Sequence, residues 1–350
     1  MRYIMKAALY YSNSDIRIVD MPKPEIDRNE VLVKVHACGI CGSDVMEWYR
    51  KKTAPRVLGH EVAGEIVKVG DRVEGFAEGD RVFVTHHVPC NTCHYCGRGH
   101  ESTCDTLRST NFHPGGFAEF LRVPEINVNR GMFVLPKGVS YEDATFIEPL
   151  ACVYRGQRMA GMRPGDSVLV LGSGISGLLH IALARAQGAG KILATDVNPY
   201  RLDMAQKFGA TSVMDAKEDI PSWVLKENNG RGVDIVVVAT GARSAINQAL
   251  DSVGRGGTIL WFAPTDPDYF PEIPFNRLWK DEISMVTSYA AVVEDILPVI
   301  SMLDSKRIPV KDMITHKLPL DEIKEGFKLV AQGGESIKVI IGPHKSSTIQ

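Results

Sequence analysis

Nowhere in the 350 residues does an apolar stretch approach the roughly 18 uncharged positions that a membrane-crossing helix requires. No membrane partner is expected. Charge of one sign is equally lacking, since 40 Lys and Arg stand against 42 Asp and Glu for a net charge of -2. That balance gives no electrostatic reason to expect nucleic acid, and it leaves a small molecule as the expected substrate. The opening MRYIMKAALYY lacks the apolar core and cleavage site of a secretory signal, so a cytoplasmic location is expected. Repeats and low-complexity segments are absent. Cysteine is sparse and odd in number: there are seven, which makes a poor disulfide set, and four of them crowd between positions 90 and 104. In a reducing compartment such crowding favours metal over disulfides.

What is present begins with residues 36–61, where His36-Ala-Cys-Gly-Ile-Cys41-Gly-Ser43-Asp44 is followed by Gly59-His60-Glu61. A thiolate, an imidazole and carboxylates in one stretch form a ligand mixture that suits zinc. Cys41 and His60 alone leave room for a more distant ligand and a substrate, which describes a catalytic site. The alternative is a buried Cys and a satisfied core His.

From Ala7 to about Val84 short β-branched runs, such as Ile16–Val19, Val31–Val35 and Glu65–Val69, alternate with Pro, Gly, Asn and Asp. The pattern predicts a compact β-rich domain of the small-barrel kind. Next comes Cys90-x-x-Cys93-x-x-Cys96 with Cys104 eight positions on, a spacing that wraps four thiolates around one structural zinc. A redox CxxC or two disulfides would be the other readings, but no strand precedes this loop as a redox motif would require. Glu148 then interrupts an apolar run, where it could cap a helix or reach the metal.

Beyond Asp166 the text changes to strand, glycine turn, helix. The apolar strand Ser167–Leu171 leads into Gly172-Ser-Gly174-Ile175-Ser-Gly177, a helix runs from Leu178 to Gln187, and the next strand, Lys191–Asp196, ends in an acid. In that context G-x-G-x-x-G reads as a dinucleotide site, with Asp196 accepting from the adenosine ribose hydroxyls. A βαβ unit without nucleotide is the alternative. Further alternating elements imply a doubly wound parallel sheet with ligand at the carboxyl ends of its strands. Thr240 and Phe262, following two of those strands, and Arg201 join the cofactor candidates. Beyond about 290 two amphipathic helices and the strand Ile337–Ile341 are expected, followed by a loose tail over 344–350.

The ordered set of motifs resembles the zinc-dependent medium-chain dehydrogenases, the superfamily of alcohol, sorbitol and threonine dehydrogenases, over nearly the whole chain. The resemblance implies an α/β protein with a GroES-like β-rich catalytic domain over 1–150, whose structural-zinc lobe covers about 88–106. It further implies a Rossmann NAD-binding domain over 151–288 and a segment, 289–350, returning to the catalytic domain. It implies two zinc ions per chain, NAD and a homodimer or homotetramer. Position by position, Cys41 and His60 match zinc ligands, Glu61 and Glu148 match places from which further coordination is drawn, Ser43 matches the proton relay and Asp44 the carboxylate that orients His60. Which glutamate binds directly stays open.

Glu148-Pro149 is similar to the polyol branch, whereas Ser288 stands where sorbitol dehydrogenases carry arginine. Met46 replaces a histidine found in several relatives, three positions after Ser43. His87, three before Cys90, and the run Asp196–Leu202 are similar to threonine dehydrogenases. The activity implied is oxidation of a secondary alcohol, a polyol or vicinal diol, to a ketone. Threonine oxidation is the runner-up, and a nucleotide-binding protein with a merely structural metal is a remote third. His87, His113 and Tyr289 are candidates to line the substrate pocket.

Overall fold

The computed structural model describes residues 3–343, so the tail reading for 344–350 lies outside the described residues. Contacts divide the chain into two compact units, one built from the residues up to Ala151 together with those from Ala290, the other from Cys152–Tyr289.

The first unit begins with β1 (Ile4–Ser12) and β2 (Asp15–Pro22), an antiparallel pair extended on the other edge of β1 by the short β4 (Arg56–Val57). A larger sheet is centred on β3 (Val31–Gly39), which pairs with β5 (Glu61–Val69) and β7 (Phe120–Val123), while β6 (Arg81–Val84) and β8 (Met132–Val134) continue beyond β5. Alternation of Val and Ile along these strands places one face inward, as period-2 side chains must. Residues such as Val33, Ile66, Val82 and Leu121 are wholly buried there. Each such side chain contributes about 1.5–3 kcal/mol of apolar burial.

The second unit carries a six-stranded sheet in the order β11-β10-β9-β12-β13-β14, every neighbouring pair parallel. Its strands are β9 (Ser167–Leu171), β10 (Lys191–Asp196), β11 (Ser212–Asp215), β12 (Val233–Val238), β13 (Val253–Trp261) and β14 (Ser284–Thr287). The central β9 is buried at every residue, which is why its sequence is an unbroken apolar run instead of an alternating one. Connecting helices such as Ile175–Ala186, Pro199–Phe208 and Arg243–Ser252 make this a doubly wound sheet.

The chain ends back in the first unit. β15 (Ile314–Pro319) pairs with β16 (Lys338–Gly342), and β16 adds to the free edge of β3. Between them the helix Ile323–Gln332 sends Phe327 into the core, with its ring 5.9 Å from Tyr10 and 5.8 Å from Phe117. Strands β11, β14 and β15 and the helix Ile220–Glu227 are not announced by the sequence, because they are short or carry polar residues at half-buried positions. No helix among the described residues is long and apolar enough to cross a membrane.

Candidate active site and cofactor cradle

Cys41 caps a one-turn 3-10 helix, Gly42–Val45, that starts just after β3 ends. Its Sγ accepts from Ser43 N at 3.5 Å and Ser43 Oγ at 3.4 Å, and Asp44 reaches back to accept from Cys41 N at 3.1 Å. This reciprocal cap fixes Cys41, Ser43 and Asp44 relative to one another. Gly59 has φ of +92°, and a side chain there would strike the backbone N of Phe117, so glycine is what allows the chain to turn His60 toward Cys41.

Asp44 is fully buried and holds His60 Nδ1 at 3.4 Å and Arg50 Nη2 at 3.2 Å on its second oxygen. Burial works to raise its pKa, but His60 and then Arg50 outweigh it, and the carboxyl ends below its ordinary range. For His60 burial opposes the charge, yet Asp44, assisted by Cys41, holds the imidazole pKa well above its usual value. Because Nδ1 faces a carboxylate, Nε2 is the ring nitrogen left for a metal. One ligand atom from each of Cys41, His60 and Glu61 lies within 4.8 Å of the others. The donor set and its spacing fit a zinc ion.

Glu61 is not solely a prospective ligand. Its Oε2 accepts from Lys338 Nζ in an ion pair in which both residues are only 1% exposed. Gly39 makes the space, since a Cβ there would collide with both partners. Glu148 stands in the first turn of the helix Ile147–Met159, buried, and its carboxylate is not one of the ligand atoms gathered around Cys41.

Three further residues complete the surroundings and were not singled out for the metal site in the sequence. Arg50 donates from Nη2 to Ser43 Oγ at 2.8 Å and from Nε to Ser43 O at 2.9 Å. The His86 ring centroid lies 4.9 Å from that of His60 and 3.7 Å from that of His87. Burial first, then the positive charge of neighbouring groups, pushes the His86 pKa well down and that of His87 to about 3. Lys338 is the third, and its signal was a lone lysine in the apolar run Ile337–Ile341. His113 is elsewhere: it lines a separate hollow with Lys23, Lys68 and Arg122, which contains none of the Cys41 group. Tyr289 is about half exposed.

In the cysteine lobe the Sγ atoms are 3.5 Å apart for Cys93 and Cys96, 3.6 Å for Cys90 and Cys104, and 4.0 Å for Cys90 and Cys96. A disulfide requires about 2.05 Å. Four sulfurs at about 2.3 Å from one zinc form a tetrahedron with edges near 3.8 Å, which these separations match. Donors from Thr92 and Cys93 N bring the Cys90 thiol to about 5, suiting it to bind as thiolate.

The second unit holds the glycine turn. Gly172 has φ of +90°, and a Cβ on Gly177 would sit 1.9 Å from Gly172 O, so the helix Ile175–Ala186 packs against the turn only without side chains there. Asp196 at the end of β10 accepts from Ser173 N at 2.8 Å and Asn198 N at 2.9 Å. Arg201 Nη1 lies 3.8 Å from where a Gly174 Cβ would be, and Thr240 crowds Gly172 in the same way. Ile175 is the half-buried first residue of the helix. Phe262 instead packs edge-on against the buried His180 ring, 4.5 Å away. The helix N-terminus and its side-chain-free turn fit the pyrophosphate of a dinucleotide.

Residues 27–132 match the family described as Alcohol dehydrogenase GroES-like domain, and residues 176–305 match Zinc-binding dehydrogenase. The chain is 32% identical to sorbitol dehydrogenase of Bacillus subtilis, covering 97% of this chain and 98% of that one. It is 35% identical to L-threonine 3-dehydrogenase of Bacillus licheniformis over 92% and 94%. Among solved structures, an alcohol dehydrogenase from Thermus sp. ATN1 superposes with a TM-score of 0.87 at 32% identity, covering 97% of this chain and all of that one. Fold, glycine turn, cysteine lobe and these likenesses agree, and the chain belongs to the zinc-dependent medium-chain dehydrogenases, enzymes with a GroES-like domain and a Rossmann domain.

Proposed function

We propose that this protein reversibly oxidises a secondary alcohol of the polyol or vicinal-diol type to the ketone, with NAD as hydride acceptor. The observation that carries the reading is the Ser43 hydroxyl, held 3.4 Å from Cys41 Sγ and 2.8 Å from Arg50 Nη2 beside His60. Cys41 and His60 hold the catalytic zinc, with Glu61 and Glu148 as the carboxylates available to it, and Cys90, Cys93, Cys96 and Cys104 hold the structural one. Zinc at the first site supplies Lewis acidity toward an alcohol oxygen. Ser43 relays the hydroxyl proton, accepting it while its own proton passes on to water, and the hydrogen bond from Arg50 holds the serine oxygen in place. Asp44 keeps His60 in one orientation. NAD held at the glycine turn would supply the acceptor for the hydride of the carbinol carbon, so that alcohol and NAD would give ketone and NADH.

Asp196 favours NAD, because a 2′-phosphate would meet its carboxylate where a hydroxyl can donate to it. Sorbitol and D-arabinitol dehydrogenases among the relatives, and the 2R,3R-butanediol dehydrogenase of Bacillus subtilis at 28% identity and a TM-score of 0.86, support the diol class. Threonine remains the second reading, favoured by His87 beside His86 and by the 35% identity to a threonine dehydrogenase. The catalytic part is taken as 1–150 with 289–350, and the NAD-binding part as 151–288. A cytoplasmic homodimer or homotetramer fits, with the open edge of β14 and the exposed Phe275 and Trp279 nearby in sequence as a surface for a second copy. NADH formation with a panel of polyols, vicinal diols, simple alcohols and L-threonine tests the reading. Efficient oxidation of threonine with negligible rates on every diol would move the protein to the second reading, and a preference for simple monoalcohols would defeat both.

A further inference from the structure

Among the described residues of the first unit five arginines are half-buried, and the side chains of four are held. Arg50 donates to Ser43 and Asp44, Arg81 to Val139 O, Arg122 to Glu30, and Arg130 to Pro89 O and Cys90 O. The fifth, Arg56 in β4, pairs with Tyr10 through the backbone ladder, but its side chain has no hydrogen-bond or ion-pair partner among the described residues. Its guanidinium nitrogens stay in contact with water, so the whole planar fork is open to a ligand.

The surroundings of Arg56 offer it nothing to bind. Arg50, Tyr49, Asp44 and His86 are the groups within its electrostatic reach. Asp44, the one carboxylate, already accepts from Cys41 N, Arg50 and His60. Glu61 is held by Lys338, and Glu47 pairs with Lys51. The ring of His86 lies 4.9 Å from that of His60 and 3.7 Å from that of His87, so nitrogen groups outnumber carboxylates around Arg56 and the metal ligand His60.

We propose that the alcohol oxidised here carries an anionic group, a carboxylate or a phosphate, and that Arg56 receives it. The planar fork of a guanidinium matches two oxygens of either group in a charge-assisted pair, and no protein side chain competes for Arg56. The inference rests on the alcohol oxidation proposed above and narrows its substrate to a hydroxy acid or a phosphorylated polyol. Arg50 is already fixed on Ser43 and Asp44 through Nε and Nη2, which leaves Arg56 as the arginine whose whole fork is free for a ligand.

The test is kcat/KM for NAD reduction by the zinc-loaded enzyme on members of one carbon skeleton: D-sorbitol, D-gluconate and D-sorbitol 6-phosphate. An anionic member should be favoured over the neutral one by about 10–100-fold, the discrimination a charged hydrogen-bonded pair gives. Which member is favoured separates carboxylate from phosphate. In Arg56→Gln that ratio should collapse, chiefly through KM, and Arg56→Lys should restore part of it. Calorimetric titration with malonate and with inorganic phosphate gives a second readout, in which wild-type binding should weaken at least about 10-fold in Arg56→Gln. Preference for the neutral member, or a ratio and anion affinity unchanged in a folded Arg56→Gln, would overturn the inference. If no member is oxidised the proposed reaction fails, and the malonate and phosphate titrations still decide the role of Arg56.

Discussion

A serine hydroxyl that relays a proton gives up its own as it takes the substrate's, and a hydrogen bond from an arginine holds its oxygen in place and meets the negative charge that appears as that proton leaves. That is the position of Ser43 under Arg50 Nη2. Ser43→Ala should therefore lower kcat by about 10²–10⁴-fold while leaving the affinity for NAD nearly unchanged. Turnover measured in a variant that keeps its zinc checks this, and an unaltered kcat removes Ser43 from the chemistry. Cys41, Ser43, Asp44 and His60 were legible in the sequence because the motifs Gly-Ile-Cys-Gly-Ser-Asp and Gly-His-Glu are local. Arg50, His86 and Lys338 were not: Lys338 meets Glu61 from 277 positions away and His86 meets His60 through the fold, while Arg50, seven positions from Ser43, stands in no motif that marks the contact. His113 shows the converse, a histidine suggested for the pocket that the fold sends to a different hollow.

At the level of elements, β16 both completes the edge of β3 and delivers Lys338 to Glu61. Removing one partner of a buried ion pair leaves the other charge uncompensated, so Lys338→Met should cost about 3–5 kcal/mol of stability. Pairing it with Glu61→Gln should recover a good part, a coupling that a double-mutant cycle by urea denaturation measures. The strands β9, β10 and β12 could be read to the residue, since each carries a run of apolar and β-branched residues closed by a turn signal, with Lys191, Asp196 and Asp234 as the charges among them. Edge strands β11, β14 and β15 could not, because half-buried edges need no alternating pattern and their pairing is decided by the sheet they join. The cysteine lobe was legible from spacing alone. Its sulfur separations suit one tetrahedral ion, and Cys93→Ser should lower the thermal midpoint and the folded yield more than it alters the chemistry of what remains folded.

For the molecule as a whole, acid stability depends in part on His180. It is fully buried in the second unit, receives a hydrogen bond from Gln157 Nε2 at 3.2 Å, and burial pushes its pKa from 6.5 to about 3. Between those values the unfolded chain holds a proton that the folded chain lacks, so the stability that neutral His180 allows is complete above 6.5 and is lost as pH falls toward 3. The slope is about 1.4 kcal/mol per pH unit from this one group. In His180→Gln the difference in folding free energy from wild type should shift by about that much between about pH 5 and pH 6, as followed by urea denaturation. An unchanged difference would mean that His180 gains its proton without unfolding. Cofactor choice belongs to the same scale: NAD should exceed NADP in kcat/KM, and parity would remove Asp196 from that role.

The central claim is that one chain carries two zinc sites of different kinds, a closed set of four cysteines and an open set that includes Cys41 and His60. Zinc content per chain, measured on freshly purified wild type and on His60→Ala, tests it most directly. The account predicts two zinc ions in an active wild type and one in a folded His60→Ala that reduces no NAD. One zinc or none in active wild type, or two in His60→Ala, would contradict it.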